Sequence, residues 1–329
     1  MLLVSFVMSS YNYGRFVGKA IDSLLGQDAR DIEVVVVENG STDETLDVIA
    51  RRRSDRRLRV IELAENIGHV AANNLGLSEA RGEFVGIVDA DDCALRSDAV
   101  SRQLELFNSG PDVGLVYSAH VLVDGDGQEL SRAQPWPTDY VNAGLAEFEQ
   151  LMWSNYIPHS GTLLRRDAVE RLGPYKTNLP YAGDWERWLR TAARWSVGYV
   201  AEPLYAYRVH DRNMHHRSVS PRAATDELIR TLENAFAELP GDAVEIMRQR
   251  RAVMRHALFQ TGWVDFFHRR LGRTVDGMRY AVRRDPPVVA SREFWGLLSR
   301  VALAAARRSL ARPAPDRDDD ARSTEPRPA

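Results

Sequence analysis

Along the first third of the chain, short apolar runs alternate with segments in which apolar residues recur every three or four positions. The runs at 2–8, 32–37, 58–63 and 84–88 predict strands. Val34-Val35-Val36-Val37 has no polar alternate, as a parallel strand covered on both faces requires. Between the strands, Phe16, Ala20 and Leu24 share one helical face, with Gly26 as a stop. Ser41 and Glu44 predict a capping box for a helix running to about Arg53. Val70, Asn74, Leu77 and Ala80 form a third helical face, closed by Gly82. This repetition predicts an α/β fold built on a doubly wound, mostly parallel sheet.

From Val113 to Tyr207 the pattern is mixed. Asp124-Gly125-Asp126-Gly127 reads as a hairpin turn, and 184–194 as a helix. Beyond Asn213 helical periods dominate: Leu228, Leu232, Phe236 and Leu239 fall on one face. Further helices are expected over 242–269 and 270–284, the latter ended by Pro286-Pro287. The expected organisation is a first domain over 1–215, a helical region over 216–312 and a disordered tail over 313–329, rich in Pro, Asp and Arg.

The chain has 329 residues, enough for one large domain or two ordinary ones. Hydrophobic residues at 44% and charged residues at 27% exclude wholesale disorder and a multi-span membrane protein. A net charge of −3 offers no global polycation, so nucleic acid is not an expected partner. Only Lys19 and Lys176 are lysines; the other basic residues are Arg. Cys93 is the single cysteine, which excludes an intrachain disulfide and a Cys-based zinc site and fits a cytoplasmic location. The apolar start lacks the basic flank and cleavage site of a signal peptide.

In doubly wound sheets ligands sit beyond the carboxyl ends of the strands. Those ends carry Ser9-Ser10-Tyr11-Asn12-Tyr13, Glu38-Asn39-Gly40-Ser41-Thr42-Asp43, Glu65-Asn66-Ile67-Gly68 and Asp89-Ala90-Asp91-Asp92. Three carboxylates in four residues repel one another unless a cation neutralises them. Mg²⁺ is commonly held by one or two carboxylates plus substrate phosphates, so the cluster reads as a metal–diphosphate site. Its plainer reading is an acidic cap for a helix near Ser97.

These segments, in this order, resemble the inverting glycosyltransferases of the GT-A fold often called family 2. Val4-Ser5-Phe6-Val7-Met8-Ser9-Ser10-Tyr11-Asn12 resembles its V-S-V-V-I-P-T-Y-N opening, and 38–43 its D-[DN]-G-S-T-D turn. The span 66–76 resembles N-x-G-x-x-x-A-x-N-x-G, and 81–92 resembles A-x-G-E-Y-I-x-x-L-D-x-D-D. Pro158-His159-Ser160 through Arg166 resembles P-H-x-S-x-x-x-R-R, and Gly183-Asp184-Trp185-Glu186-Arg187-Trp188-Leu189 resembles [ED]-D-W-[ED]-L-W-L. Tyr207-Arg208-Val209-His210 resembles Y-R-x-H. The resemblance covers about residues 1–215 and implies a GT-A, Rossmann-like mixed sheet with a helical C-terminal appendix.

The resemblance implies a nucleoside-diphosphate sugar donor, Mg²⁺ or Mn²⁺, and a hydroxyl acceptor on a glycan, lipid or small molecule. Asp184 is the implied general base, taking the acceptor proton opposite the leaving diphosphate; Glu186 is the rival. Asp91 and Asp92 are implied for metal, ribose and diphosphate, supported by Asp89. Ser9, Tyr11 and Asn12 fall on the nucleoside side, with Tyr11 packed on the base or serving as a rim aromatic. Glu38 stands where the family has Asp to accept the pyrimidine N3–H, which favours a UDP- or dTDP-sugar. Asn66 and Asn74 hold geometry near the nucleoside. His159 contacts the donor sugar or orients its loop, and Trp185 is a sugar platform or core. Arg208 and His210 neutralise the diphosphate, or His210 completes the metal shell. Gly183 departs from the family, where an acid is common, and His215-His216 match nothing.

Two rivals stand beside this reading. A nucleotidyltransferase of related fold would need a Gly-rich basic loop after the first strand, and 9–15 has one Gly and no Lys. A non-catalytic nucleotide-sugar-binding module fits the departures at Glu38 and Gly183. Finally, 291–312 places Phe294, Trp295, Leu298 and Val301 on one stripe flanked by Arg292, Arg300, Arg307, Arg308 and Arg312. That pattern suits the inner face of a cell membrane, the protein's own domain, or a second subunit as a homodimer.

Overall fold

The computed structural model describes residues 3–211, 213 and 220–310, with side chains described as far as 306. His215, His216 and the tail expected to be disordered lie outside the described residues. The chain divides into two compact units, Met1–Ala257 and Leu258–Ala329. The first therefore extends past the sequence boundary at 215.

In the first unit the elements are β1 (Val4–Ser10), α1 (Gly14–Leu25), β2 (Ile32–Glu38), α2 (Thr45–Ala50), β3 (Leu58–Glu62), α3 (His69–Glu79) and β4 (Phe84–Ile87). There follow β5 (Cys93–Ala94), α4 (Ala99–Phe107), β6 (Val113–Val123), β7 (Glu129–Ala133), β8 (Tyr140–Asn142) and α5 (Gly144–Leu151). Next come β9 (Thr162–Arg165), α6 (Arg166–Leu172), α7 (Gly183–Ala192), β10 (Ser196–Arg208) and α8 (Pro221–Ala237). Helix α9 (Val244–Phe267) begins in this unit and ends in the second, which also holds α10 (Leu271–Arg284), a 3₁₀ turn (Pro286–Ala290) and α11 (Arg292–Leu310).

One mixed sheet has the order β3-β2-β1-β4-β9-β6-β10-β5, with β7 on β6 and β8 on β10. The four N-terminal strands run parallel, whereas β9 pairs antiparallel with both β4 and β6. All seven residues of β2 are buried, because helices cover both faces of the sheet. The core joins Phe6, Met8, Val34 and Val36 to Val17, Ile21 and Leu24 of α1. On the other face α3 lies close: a Cβ on Gly76 would fall 2.3 Å from Val7 Cγ1. The fully buried residues of α3 are Ala72, Asn73 and Gly76, while Val70 and Leu77 of the predicted face pack partly buried against Val7, Val85 and Ile87, beside buried Ala80. Small residues are what let the helix backbone approach.

The expected capping box does not form. Glu44 occupies the N-cap of α2 without a side-chain bond, while Asp43 accepts from the Thr45 amide at 3.0 Å. Ser41 is drawn elsewhere, accepting from the Asn12 amide at 2.9 Å. The hairpin turn after β6 is present, with Asp124 Oδ1 accepting from the Asp126 and Gln128 amides and Gly127 at φ +90°. No helix among the described residues is long and apolar enough to cross a membrane.

Candidate active site

The loops after β1 and β2 hold each other. Asn12, at φ +58°, accepts from the Thr42 amide at 2.8 Å through Oδ1. The Tyr13 amide donates to Thr45 Oγ1 at 2.9 Å, and the Gly14 amide to Asp43 at 3.2 Å. The loop after β3 is joined next. Asn39 donates to Asn66 Oδ1 at 3.1 Å and accepts from the Ile67 amide at 2.9 Å. Asn is among the few residues that occupy the left-handed region routinely, and its short amide can bond the backbone locally.

Beside these loops lies a cleft of about 680 Å³. Of the residues singled out from sequence, Ser9, Asp89, Asp91, Asp92, His159 and Asp184 line it. The sheet brings the acidic loop after β4 against the loop before β9. The Asp89 amide donates to Ser160 Oγ at 2.9 Å, and His159 Nδ1 lies 3.2 Å from Asp89 Oδ1. Gly161 makes this approach feasible: its φ is +81°, and a Cβ there would lie 2.3 Å from the Tyr205 ring.

The three carboxylates differ electrostatically. Burial pushes Asp89 up, but the charges of His159 and His69 more than reverse this and hold it below the ordinary carboxylate value. His159 is reciprocally raised: burial alone would lower it, and Asp89 overcomes that. Burial raises Asp91 despite its contact with His210 Nε2 at 2.9 Å. Asp92 is raised well above the ordinary value, by burial first and then by the charges of Asp91 and Asp89. Its Oδ1 accepts from the Arg208 amide at 2.7 Å, while Oδ2 is buried without a hydrogen-bond partner.

Among the described residues, no group of three or more His, Cys, Asp or Glu is gathered as a metal cage. A smaller donor set fits a hard divalent ion: two carboxylates whose burial disfavours their charge, an adjacent imidazole and one orphaned carboxylate oxygen. Such ions usually complete their shell with water and substrate phosphate.

Opposite, the first turn of α7 presents Asp184. Its Oδ1 accepts from the Trp185 amide at 2.6 Å and Oδ2 from Asn155 Nδ2 at 3.1 Å. From α8, Glu227 accepts from the Tyr181 and Ala182 amides at 2.5 and 2.7 Å, fixing the segment that leads into α7. Glu186, the other carboxylate of that turn, is 1% exposed, ion-paired with Lys176 at 3.1 Å and Arg190 at 2.9 Å, and outside the cleft lining.

Several side chains singled out from sequence are engaged in structure. Trp185 is buried, with Nε1 donating to the Leu151 carbonyl at 2.9 Å; it is core rather than a sugar platform. Asn74 exchanges two 2.8 Å bonds with the Tyr175 backbone, which consumes its amide. Glu38 is buried, accepting from the Ser41 amide at 2.8 Å and the Gly40 amide at 3.2 Å; it closes its own turn. Asn66 accepts from the Gly68 amide at 2.8 Å. Arg208 donates to the Asp91 carbonyl at 2.8 Å and the Asp124 carbonyl at 2.9 Å, with its guanidinium 5.1 Å from the Phe16 ring centre. It braces the acidic loop instead of facing the cleft. Tyr11 is half-buried and outside the lining; His210 is also outside it but touches the lining residues Asp91, Asn213 and Tyr13.

Sequence reasoning passed over Tyr13, His69, Asn73, Asn155, Tyr175 and Asn213, all of which line the cleft. Asn213 donates to Asp91 Oδ2 at 3.2 Å. Tyr175 has its hydroxyl buried without a partner, its ring 6.0 Å from that of His159, and the Arg187 guanidinium 4.3 Å from its ring centre. Tyr175 and Asn155 lie in a mixed segment with no periodicity to flag them.

A mixed sheet with an acidic loop at its β4 end and a carboxylate facing it defines a GT-A-type transferase. The family model Glycosyl transferase family 2 matches residues 5–173, and the chain belongs to that family and is a glycosyltransferase. It is 29% identical over 234 residues to an uncharacterized glycosyltransferase of Nostoc sp., covering 68% of this chain and 69% of the relative. It is 34% identical over 136 residues to chondroitin synthase of Pasteurella multocida, covering 41% of this chain but 14% of that protein. Among solved structures, S. aureus TarS 1–349 in complex with UDP-GlcNAc matches with a TM-score of 0.69 at 16% identity, covering 93% of this chain and 92% of that one. The mannosyltransferase PcManGT of Pyrobaculum calidifontis, in complex with GDP-Man and Mn²⁺, matches with a TM-score of 0.58 at 20% identity, covering 94% and 87%.

Proposed function

We propose that this glycosyltransferase moves a sugar from a nucleoside-diphosphate sugar to a hydroxyl acceptor in one inverting displacement. The observation that carries the reading is Asp184, held by Asn155 and lining the same cleft as Asp89, Asp91 and Asp92. Asp184 takes the proton from the acceptor hydroxyl as its oxygen bonds to the anomeric carbon. The bond from that carbon to the diphosphate oxygen breaks, and the diphosphate leaves with the electron pair. Asp91 and Asp92, with His210 beside them, would hold Mg²⁺ or Mn²⁺, and such an ion would supply positive charge for the leaving diphosphate. The Asp89–His159 pair keeps the floor of the site rigid.

The donor to test first is a UDP- or dTDP-sugar, in line with the UDP-GlcNAc held by the TarS neighbour. Glu38 does not support that choice, because its carboxylate is occupied by Gly40 and Ser41. The test is calorimetry with UDP, dTDP, GDP, ADP and CDP, with and without Mn²⁺, followed by product analysis. Metal-dependent binding of UDP or dTDP and a product of inverted anomeric configuration are expected. Preference for GDP would overturn the donor choice alone. Retained configuration, or Asp184→Asn without loss of turnover, would overturn the mechanism.

A further inference from the structure

The second unit is basic within an acidic chain. Residues 258–310 hold ten arginines and four carboxylates, although the whole chain carries −3. Asp265 is paired with Arg270 and Arg273, and Asp276 with Arg279. Arg283, Arg284 and Arg292 are exposed and make no ion pair among the described residues.

The same unit exposes large apolar side chains. Phe267 is 73% exposed, Trp295 59%, and Val264 and Leu303 54% each. They are not scattered. Trp263 stacks on Phe267 at 5.9 Å and lies against Gly296 of α11. The Arg300 guanidinium sits 5.2 Å from the Trp263 ring centre, so a cation stands inside the aromatic cluster. Gly296, Arg300 and Leu303 follow one stripe of α11, and Trp295, Ala302 and Ala306 beside them are also exposed or nearly so. The side of a helix that faces water is ordinarily polar. Here it carries tryptophan, leucine and alanine between arginines, while the inner side buries Leu297 and Val301.

We propose that residues 258–310 form a docking surface for an anionic lipid bilayer. Phe267 and Trp295 would enter the headgroup region, and the unpaired arginines would meet lipid phosphates. An excess of positive charge around exposed aromatics complements a surface that is negative outside and apolar beneath. A second copy of the chain would bring the same excess of arginine against itself. The proposal stands whether or not the sugar-transfer mechanism above is right.

The test uses the full chain and two vesicle preparations, phosphatidylcholine alone and phosphatidylcholine with phosphatidylglycerol. Co-sedimentation is expected with the second only, and it should fall as salt is raised. The F267D/W295D variant should lose about tenfold in vesicle binding with an unchanged circular dichroism spectrum. The R283Q/R284Q/R292Q variant should lose binding to the anionic vesicles while keeping its fold. Equal binding to both preparations would overturn the anionic recognition. Absence of binding to either would overturn the proposal, and a dimer in sedimentation velocity that F267D/W295D dissociates would then assign the face to a second copy.

Discussion

On the nucleoside side of the cleft, three loops are sewn together by short polar side chains, whereas on the opposite side one helix buries ionised residues to present a single carboxylate. The first region spends Asn12, Asn39, Ser41, Asp43 and Asn66 on backbone amides and on one another. Each of those bonds is local to a strand end and individually modest, about 1 kcal/mol. The second region places Glu186, Arg187 and Arg190 in the interior around Trp185 and Trp188. Such a helix is costly to disturb, because removing one charge strands another. The difference teaches where tolerance lies: the loops should weaken by degrees, the helix all at once.

Asp184 and Glu186 break the comparison most sharply. Asp184→Asn should lower turnover by about 10²- to 10⁴-fold, the range of general-base catalysis. Its unfolding midpoint and its donor affinity by calorimetry should stay near those of the parent. Glu186→Gln should do the reverse, leaving Arg190 and Lys176 without their counter-charge and costing about 3–5 kcal/mol in urea unfolding. Whatever fraction stays folded should turn over normally. A stable, inactive Glu186→Gln would exchange the two roles.

Asn12→Ala should cost less, about 1–2 kcal/mol, by placing a residue without a local acceptor at a positive φ and freeing the Thr42 amide. Its mark should be a raised donor KM with little change in kcat, read from steady-state kinetics.

The smallest effect concerns Glu33, at the end of the sheet remote from the cleft. Burial would raise it, but hydrogen bonds from Ser5, Arg59 and the Arg81 amide hold it below its ordinary 4.5. Its contribution to stability is therefore complete above pH 4.5 and fades as the pH falls through the lower folded-state value. Glu33→Gln should flatten that acid limb in thermal melts taken across the range and leave kcat at neutral pH unchanged.

How far the site was legible follows the same division. The acidic loop and Ser9 could be placed because each follows a strand that the apolar pattern marks, whereas His159 and Asp184 were placed by resemblance to family motifs. Ser41 and Glu44 misled because the capping box is a local motif, and Asn12, 29 residues from Ser41 in sequence, competes for the same hydroxyl. Arg208 misled differently. A cation in a late loop suggests a phosphate ligand, yet β10 lies beside β6 and in reach of the acidic loop, where backbone carbonyls take its donors. Asn155 and Glu227 gave no signal, since their partners are 29 and 45 or more residues away.

By itself the sequence determined β1 to β4, the helices between them and the acidic loop at their ends, because apolar period and turn chemistry act over a few residues. It left Asp184 and Glu186 as rivals for one role, although two helical steps turn a side chain by about 200°. Only the tertiary structure decided which of the two faces the cleft. That choice belongs to Lys176 and Arg190, which claim Glu186, and to Asn155, which claims Asp184. A buried charge is stable only where its counter-charge happens to pack, and packing is a property of the assembled sheet and helices, not of any segment alone.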